Sequence, residues 1–184
     1  MKKKLIIGVF ISLITLQIAV PISMIVKRES TLKNGTAFRF KTAPVDPYDA
    51  FRGRYVAIRA EVNKVKKPER MNLKYGQKVF AQLTVDEKGF AQVSQISVQK
   101  PKDSAYLTAS VAYDSKDGVG LNLPIDRYYM EEKAAARAEQ AYREHSSRNK
   151  QDAYVIAKIK DGFTVIEGLY IGNERIEDIV NRKN

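Results

Sequence analysis

The 184 residues carry 32 Lys and Arg against 21 Asp and Glu, one His and no Cys, for a formal charge of +11. Without cysteine there is no disulfide, no thiolate nucleophile, no Cys-type zinc site and no residue to carry a lipoprotein's lipid. Setting aside Lys2, Lys3 and Lys4, residues 27–184 keep 29 basic against 21 acidic groups. Such a surplus beside a membrane suits anionic headgroups, an envelope polymer or an acidic partner, and argues against nucleic acid.

Residues 1–4 form a short basic flank, and residues 5–26 an unbroken apolar run in which fourteen positions are Leu, Ile, Val or Phe. Twenty-two helical residues rise roughly 33 Å, enough for the roughly 30 Å hydrocarbon core. The run exceeds the apolar region of a cleaved signal peptide, and Ser23-Met24-Ile25 lacks the paired small residues of a cleavage site. The expectation is a retained single-pass anchor, with lysines and N-terminus cytoplasmic and the rest extracytoplasmic. Gly8, Ser12, Thr15, Ala19 and Ser23 recur at spacings of four and three. At about 100° per residue they share one narrow face, which suits close approach of another helix, a second copy or a larger membrane protein.

Residues 27–35 read as a polar, turn-prone stalk, and residues 36–175 as one β-rich domain. Val56, Ile58, Ala60 and Val62 alternate across 55–62 and predict a half-buried strand; Val79, Ala81, Leu83 and Val85 do the same across 77–85. A comparable segment runs from Phe90 to Val98, joined to the preceding one by Asp86-Glu87-Lys88-Gly89. Leu107, Ala109, Val111 and Tyr113 alternate before the turn Ser115–Gly118, and Tyr154–Lys160 and Phe163–Ile171 flank Asp161-Gly162, a type I′ hairpin signal. Between them, Ala134, Ala135, Ala138, Ala141 and Tyr142 predict an amphipathic helix over 131–145. Residues 176–184 read as a tail that frays or forms a weak turn around Ile176 and Val180. The fold class is mainly β (α+β): a transmembrane helix, then an antiparallel meander closed as a barrel or stacked as a sandwich, with one packed helix.

The stretch Val45-Asp46-Pro47-Tyr48-Asp49-Ala50-Phe51-Arg52-Gly53-Arg54-Tyr55-Val56-Ala57-Ile58 resembles the segment that names the GDYXXLXY family of bacterial membrane-anchored proteins. Downstream, the strand pair with its glycine turn, Lys100-Pro101, Arg127-Tyr128-Tyr129-Met130-Glu131-Glu132 and the final hairpin follow in the same order, so the resemblance covers about residues 25–175. It implies a bacterial inner-membrane location and a membrane-anchored partner of multi-spanning proteins rather than a reaction. Arg54 stands where the family has Asp, and Ala60 where it has its second Tyr; an activity resting on that Asp would be lost here.

Asp46, Pro47 and Gly53 suit a turn into a strand, while Asp46, Asp49, Arg52, Gly53 and Tyr55 together form a candidate binding cluster at one end of the sheet. His145 is the sole histidine and Asp46 with Asp49 falls short of a calcium ligand set, so neither metal nor cofactor is expected. Glu131, Glu132 and Glu139 read as solvated helix charges. The one enzyme reading is a Ser-Lys hydrolase of signal-peptidase layout, with Ser30 as nucleophile and Lys64, Lys66 or Lys67 as base. It is weakened by the exposed lysine run those bases occupy. The function expected is therefore non-catalytic: an accessory or binding protein attached to a membrane complex.

Overall fold

The computed structural model of the chain describes residues 2–43, 55–62, 64–66, 71–146 and 151–182. Helix α1 (Lys2–Asn34) takes in the whole apolar run, including Pro21. It is long and apolar enough to cross a membrane, and its apolar side chains are exposed, from 39% at Ile14 to 72% at Leu5. The helix does not stop where the polar stalk was expected. Adding residues to a formed helix requires no new nucleus, and Lys, Arg, Glu and Leu over 27–33 are good helix formers. Its last turns also dock on the domain: Thr31 is buried, Ser30 Oγ accepts from Lys160 Nζ at 2.8 Å, and Lys27 Nζ lies 4.3 Å from the centre of the Phe163 ring. Gly35 N then donates to Thr31 O at 2.8 Å and closes the helix.

Among the described residues twelve strands follow: β1 (Thr36–Ala43), β2 (Tyr55–Ala57), β3 (Arg59–Ala60), β4 (Lys64–Val65), β5 (Lys78–Val85), β6 (Ala91–Ser97), β7 (Tyr106–Ser115), β8 (Gly118–Asn122), β9 (Arg127–Tyr129), β10 (Ala153–Lys160), β11 (Phe163–Ile171) and β12 (Glu174–Arg175). Two five-stranded antiparallel sheets, ordered β12-β11-β10-β1-β3 and β4-β8-β7-β5-β6, flank the pair β2-β9. Bridges from Arg39 to Phe90 and from Leu107 to Gly162 stitch the large sheets together, giving a nearly closed, barrel-like wall. The barrel is thus realised and the flat-sided sandwich is not.

Phe38, Phe40, Val79, Leu107, Val111, Val155 and Leu169 fill the interior, each contributing about 1.5–3 kcal/mol when fully buried. β10 shows the expected alternation cleanly, with Ala153, Val155, Ala157 and Ile159 inward. Asp161 at φ 51° and Gly162 at φ 77° form the expected I′ turn. Any side chain at Gly162 would strike the Tyr106 ring, since its Cβ would lie 2.5 Å from Cε2. Helix α2 (Glu132–Ser146) presents Ala134, Ala138 and Tyr142 to the barrel, and the Tyr142 hydroxyl donates to Ala43 O at 2.9 Å.

Four expectations need adjusting. The predicted strand over 55–62 is split into β2 and β3, because the chain changes partner at Ile58, whose N–H donates to Asp126 O at 2.8 Å; Val56, Ile58 and Ala60 still point inward. Tyr113 turns outward after a register shift between Val111 and Tyr113, and its ring covers Gly120. Val85, the last residue of β5, is exposed as well. Of the two readings of the tail, the helical turn around Ile176 and Val180 is realised, but packed rather than weak: β12 leads into α3 (Ile176–Asn181), whose Ile176 and Val180 are buried in the core.

Candidate functional site

Pairing of β2 with β9 sets Tyr55 opposite Tyr129, Val56 opposite Tyr128 and Ala57 opposite Arg127. Alternation sends Val56 and Tyr128 into the core and leaves Tyr55, Tyr129 and Arg127 outside. The two outer tyrosine rings lie 5.9 Å apart, tilted by 56°, and the Arg127 guanidinium carbon sits 5.5 Å from the Tyr55 ring centre. Arg127 Nε is also 3.4 Å from Asp126 Oδ2. The Tyr129 hydroxyl first, and the Asp126 carboxylate second, raise the Arg127 pKa further, so its charge is permanent. Tyr129 is 66% exposed, with the Tyr55 ring as its neighbour.

Beside this group opens a cleft of about 230 Å³ lined by Arg28 from α1, by Asp126, Arg127 and Tyr129, and by Thr164 and Val165 of β11. A second cleft of about 350 Å³ lies on the other side of Asp126, between Arg59 and Asn122. Beneath the first, the Tyr128 hydroxyl donates to Glu177 Oε1, and Arg175 Nε stands 3.8 Å from Glu177 Oε2. Burial, reinforced by the Glu177 carboxylate, pushes the Tyr128 pKa up to about 12. α3 therefore pins the floor on which the outer residues stand.

Of the expected binding cluster, Tyr55 belongs to this site, whereas Asp46, Asp49, Arg52 and Gly53 lie outside the described residues. On α1 the small residues Gly8, Ser12, Thr15, Ala19 and Ser23 are all exposed. Their hydroxyls bond the helix's own carbonyls, Ser12 to Gly8, Thr15 to Ile11 and Ser23 to Val20, at 2.7–3.0 Å. The face offers close approach without unpaired polar groups. Ser30 meets Lys160 rather than Lys64, which lies on β4 in the other large sheet; Lys66 is exposed, and Lys67 falls outside the described residues. His145 Nδ1 is 2.9 Å from Asp152 Oδ1, and Glu139 pairs with Arg143 at 2.8 Å. Among the described residues no group of three or more His, Asp or Glu is placed to hold a metal ion.

Arg28, Arg127 and Tyr129 were not singled out as site residues from sequence. The Arg-Tyr-Tyr run was visible, but only the β2–β9 register reveals that its first and third members stand outside with Tyr55.

No curated protein and no solved structure matches the chain. The family model described as GDYXXLXY protein matches residues 17–169, from within α1 to within β11. A match over so much of the helix and barrel together means that this chain belongs to the GDYXXLXY protein family.

Proposed function

We propose that this protein is a non-catalytic accessory subunit, held in a bacterial inner membrane by α1 with its barrel on the extracytoplasmic side, that binds a larger membrane protein. The observation that carries the reading is the union of two features in one helix. Its apolar residues are exposed and unpartnered by the barrel, while its last turn is fixed to β10 and β11 through Thr31, Ser30 and Lys27. A helix built this way holds the barrel at a set attitude to whatever packs on its membrane portion. The small-residue face of Gly8, Ser12, Thr15, Ala19 and Ser23 supplies the packing surface.

Photocrosslinking in intact membranes tests it. Crosslinkers at Ser12 or Ala19 should capture one stoichiometric membrane protein, and crosslinkers at Phe10 or Met24, on the opposite side of the helix, should not. Equal capture from both sides, or none from either, would refute a docking face.

A second reading, a Ser-Lys hydrolase, is favoured by one contact: Lys160 Nζ to Ser30 Oγ at 2.8 Å. Against it, Ser30 sits within a helix, where its backbone N–H is committed and offers nothing to an oxyanion. Labelling of the full chain by a serine-directed fluorophosphonate, abolished in Ser30→Ala, would establish it in place of the accessory role.

A further inference from the structure

We infer that the cleft between Arg28, Arg127 and Tyr129 is a binding site for the phosphate headgroup of an anionic phospholipid; this rests on α1 being the membrane anchor. Depth is the first argument. The apolar run ends at Val26, and Lys27 and Arg28 are the first charged residues after it. Two helical residues rise about 3 Å, and the polar layer on each face of a bilayer is roughly 5–8 Å thick, so Arg28 lies within the headgroup layer. The wall opposite Arg28 is built from Asp126, Arg127, Tyr129 and the start of β11, which places those residues at the same level. Lys27 over the Phe163 ring marks that level independently, because it seats the tip of the β10–β11 hairpin beside the end of the apolar run.

Chemistry is the second argument. Two guanidiniums and one carboxylate line the cleft; the carboxylate, Asp126, is paired with Arg127, and Arg28 has no ion-pair partner among the described residues. Guanidinium forks match phosphate oxygens, and an exposed tyrosine with one apolar side and one hydroxyl is the side chain that settles at a headgroup boundary. Tyr129, 66% exposed to water in the isolated chain, is covered by lipid in this arrangement. At about 230 Å³ the cleft is smaller than the roughly 300–1,000 Å³ of sites for drug-sized ligands and suits a headgroup whose acyl chains remain in the bilayer.

The chain has no tryptophan, so Tyr129→Trp installs a single reporter in the full-length protein. In bilayers containing a headgroup-nitroxide lipid, emission from position 129 should be quenched several-fold more than emission from a Tyr154→Trp protein. That second reporter lies six residues up β10 from Lys160, about 20 Å along the strand. Native mass spectrometry of protein taken from mixed phosphatidylcholine and phosphatidylglycerol bilayers should retain bound phosphatidylglycerol in the wild type. Arg28→Gln and Arg127→Gln should each lose it, and inorganic phosphate in the buffer should not displace it. Protein that washes off membranes in carbonate refutes the anchored reading itself. Protein that stays embedded but shows equal quenching at both positions, retains phosphatidylglycerol in both variants, or releases it to inorganic phosphate overturns the headgroup site alone.

Discussion

Replacing Gly35 by alanine tests how tightly α1 is joined to the barrel. A methyl there would sit 2.4 Å from Thr31 O and 3.1 Å from both N and O of Ile159. All three are backbone atoms of a helix end and a central strand, so none can swing aside as a side chain would. Overpacking of this kind costs typically about 1–3 kcal/mol, and the stiffer unfolded chain returns about 0.4–1 kcal/mol. The net loss is about 1–2 kcal/mol, which for a domain of this size lowers the melting temperature by roughly 2–8 °C. Thermal unfolding of the full chain in detergent, followed by near-ultraviolet circular dichroism of its tyrosines, measures this directly. Gly8→Ala is the control, since no atom lies within 4 Å of the added methyl. A Gly35→Ala protein that melts with or above the wild type would refute the reasoning, because it would mean that the helix end and β10 are not in register as described.

Ile176→Ala should cost about 2–5 kcal/mol in urea unfolding, because Ile176 is fully buried between α2 and β11; a change within a few tenths would return the tail to the status of a loose end. Folded Tyr128 ionises at about 12, above the ordinary value of 10, so the unfolded chain gives up that proton first. The stability it contributes is intact below pH 10 and is lost as pH climbs from 10 toward 12. Tyr128→Phe should flatten the fall in stability across that interval, and parallel curves for the two proteins would count against the buried Tyr128–Glu177 bond.

Local signals proved legible where local chemistry decides the outcome. Asp161-Gly162 is nearly the only kind of dipeptide that accepts two consecutive left-handed conformations, and it forms the expected hairpin. The alanines of 131–145 likewise declared a helix that packs closely, and the inward faces of 55–62 were readable although the break at Ile58 was not. That break is a tertiary event: the chain leaves β9 for β1, and nothing in the alternation of Val56, Ile58 and Ala60 records which neighbour each residue has. The polar stretch after Val26 departs from its expected form for a related reason. Its composition fits an exposed loop, but a helix already formed over the apolar run extends cheaply, and the buried Thr31 draws its end onto the hairpin. Tyr55 is expected in a binding cluster on its local chemistry, and the residues the structure sets beside it, Arg127 and Tyr129, come from a strand more than seventy residues away.

Because α1 runs as one helix from Lys2 to Asn34, about 50 Å at 1.5 Å per residue, and is bolted to the barrel at one end, the barrel inherits its inclination. Membrane helices lean about 20° on average and lean further when the surrounding lipid is thin. With α1 as the proposed anchor, a shift in acyl-chain length tips the barrel as wind tips a mast. On that proposal local lipid thickness becomes a mechanical input that sets how far the outermost strands stand from the bilayer and which way they are aimed.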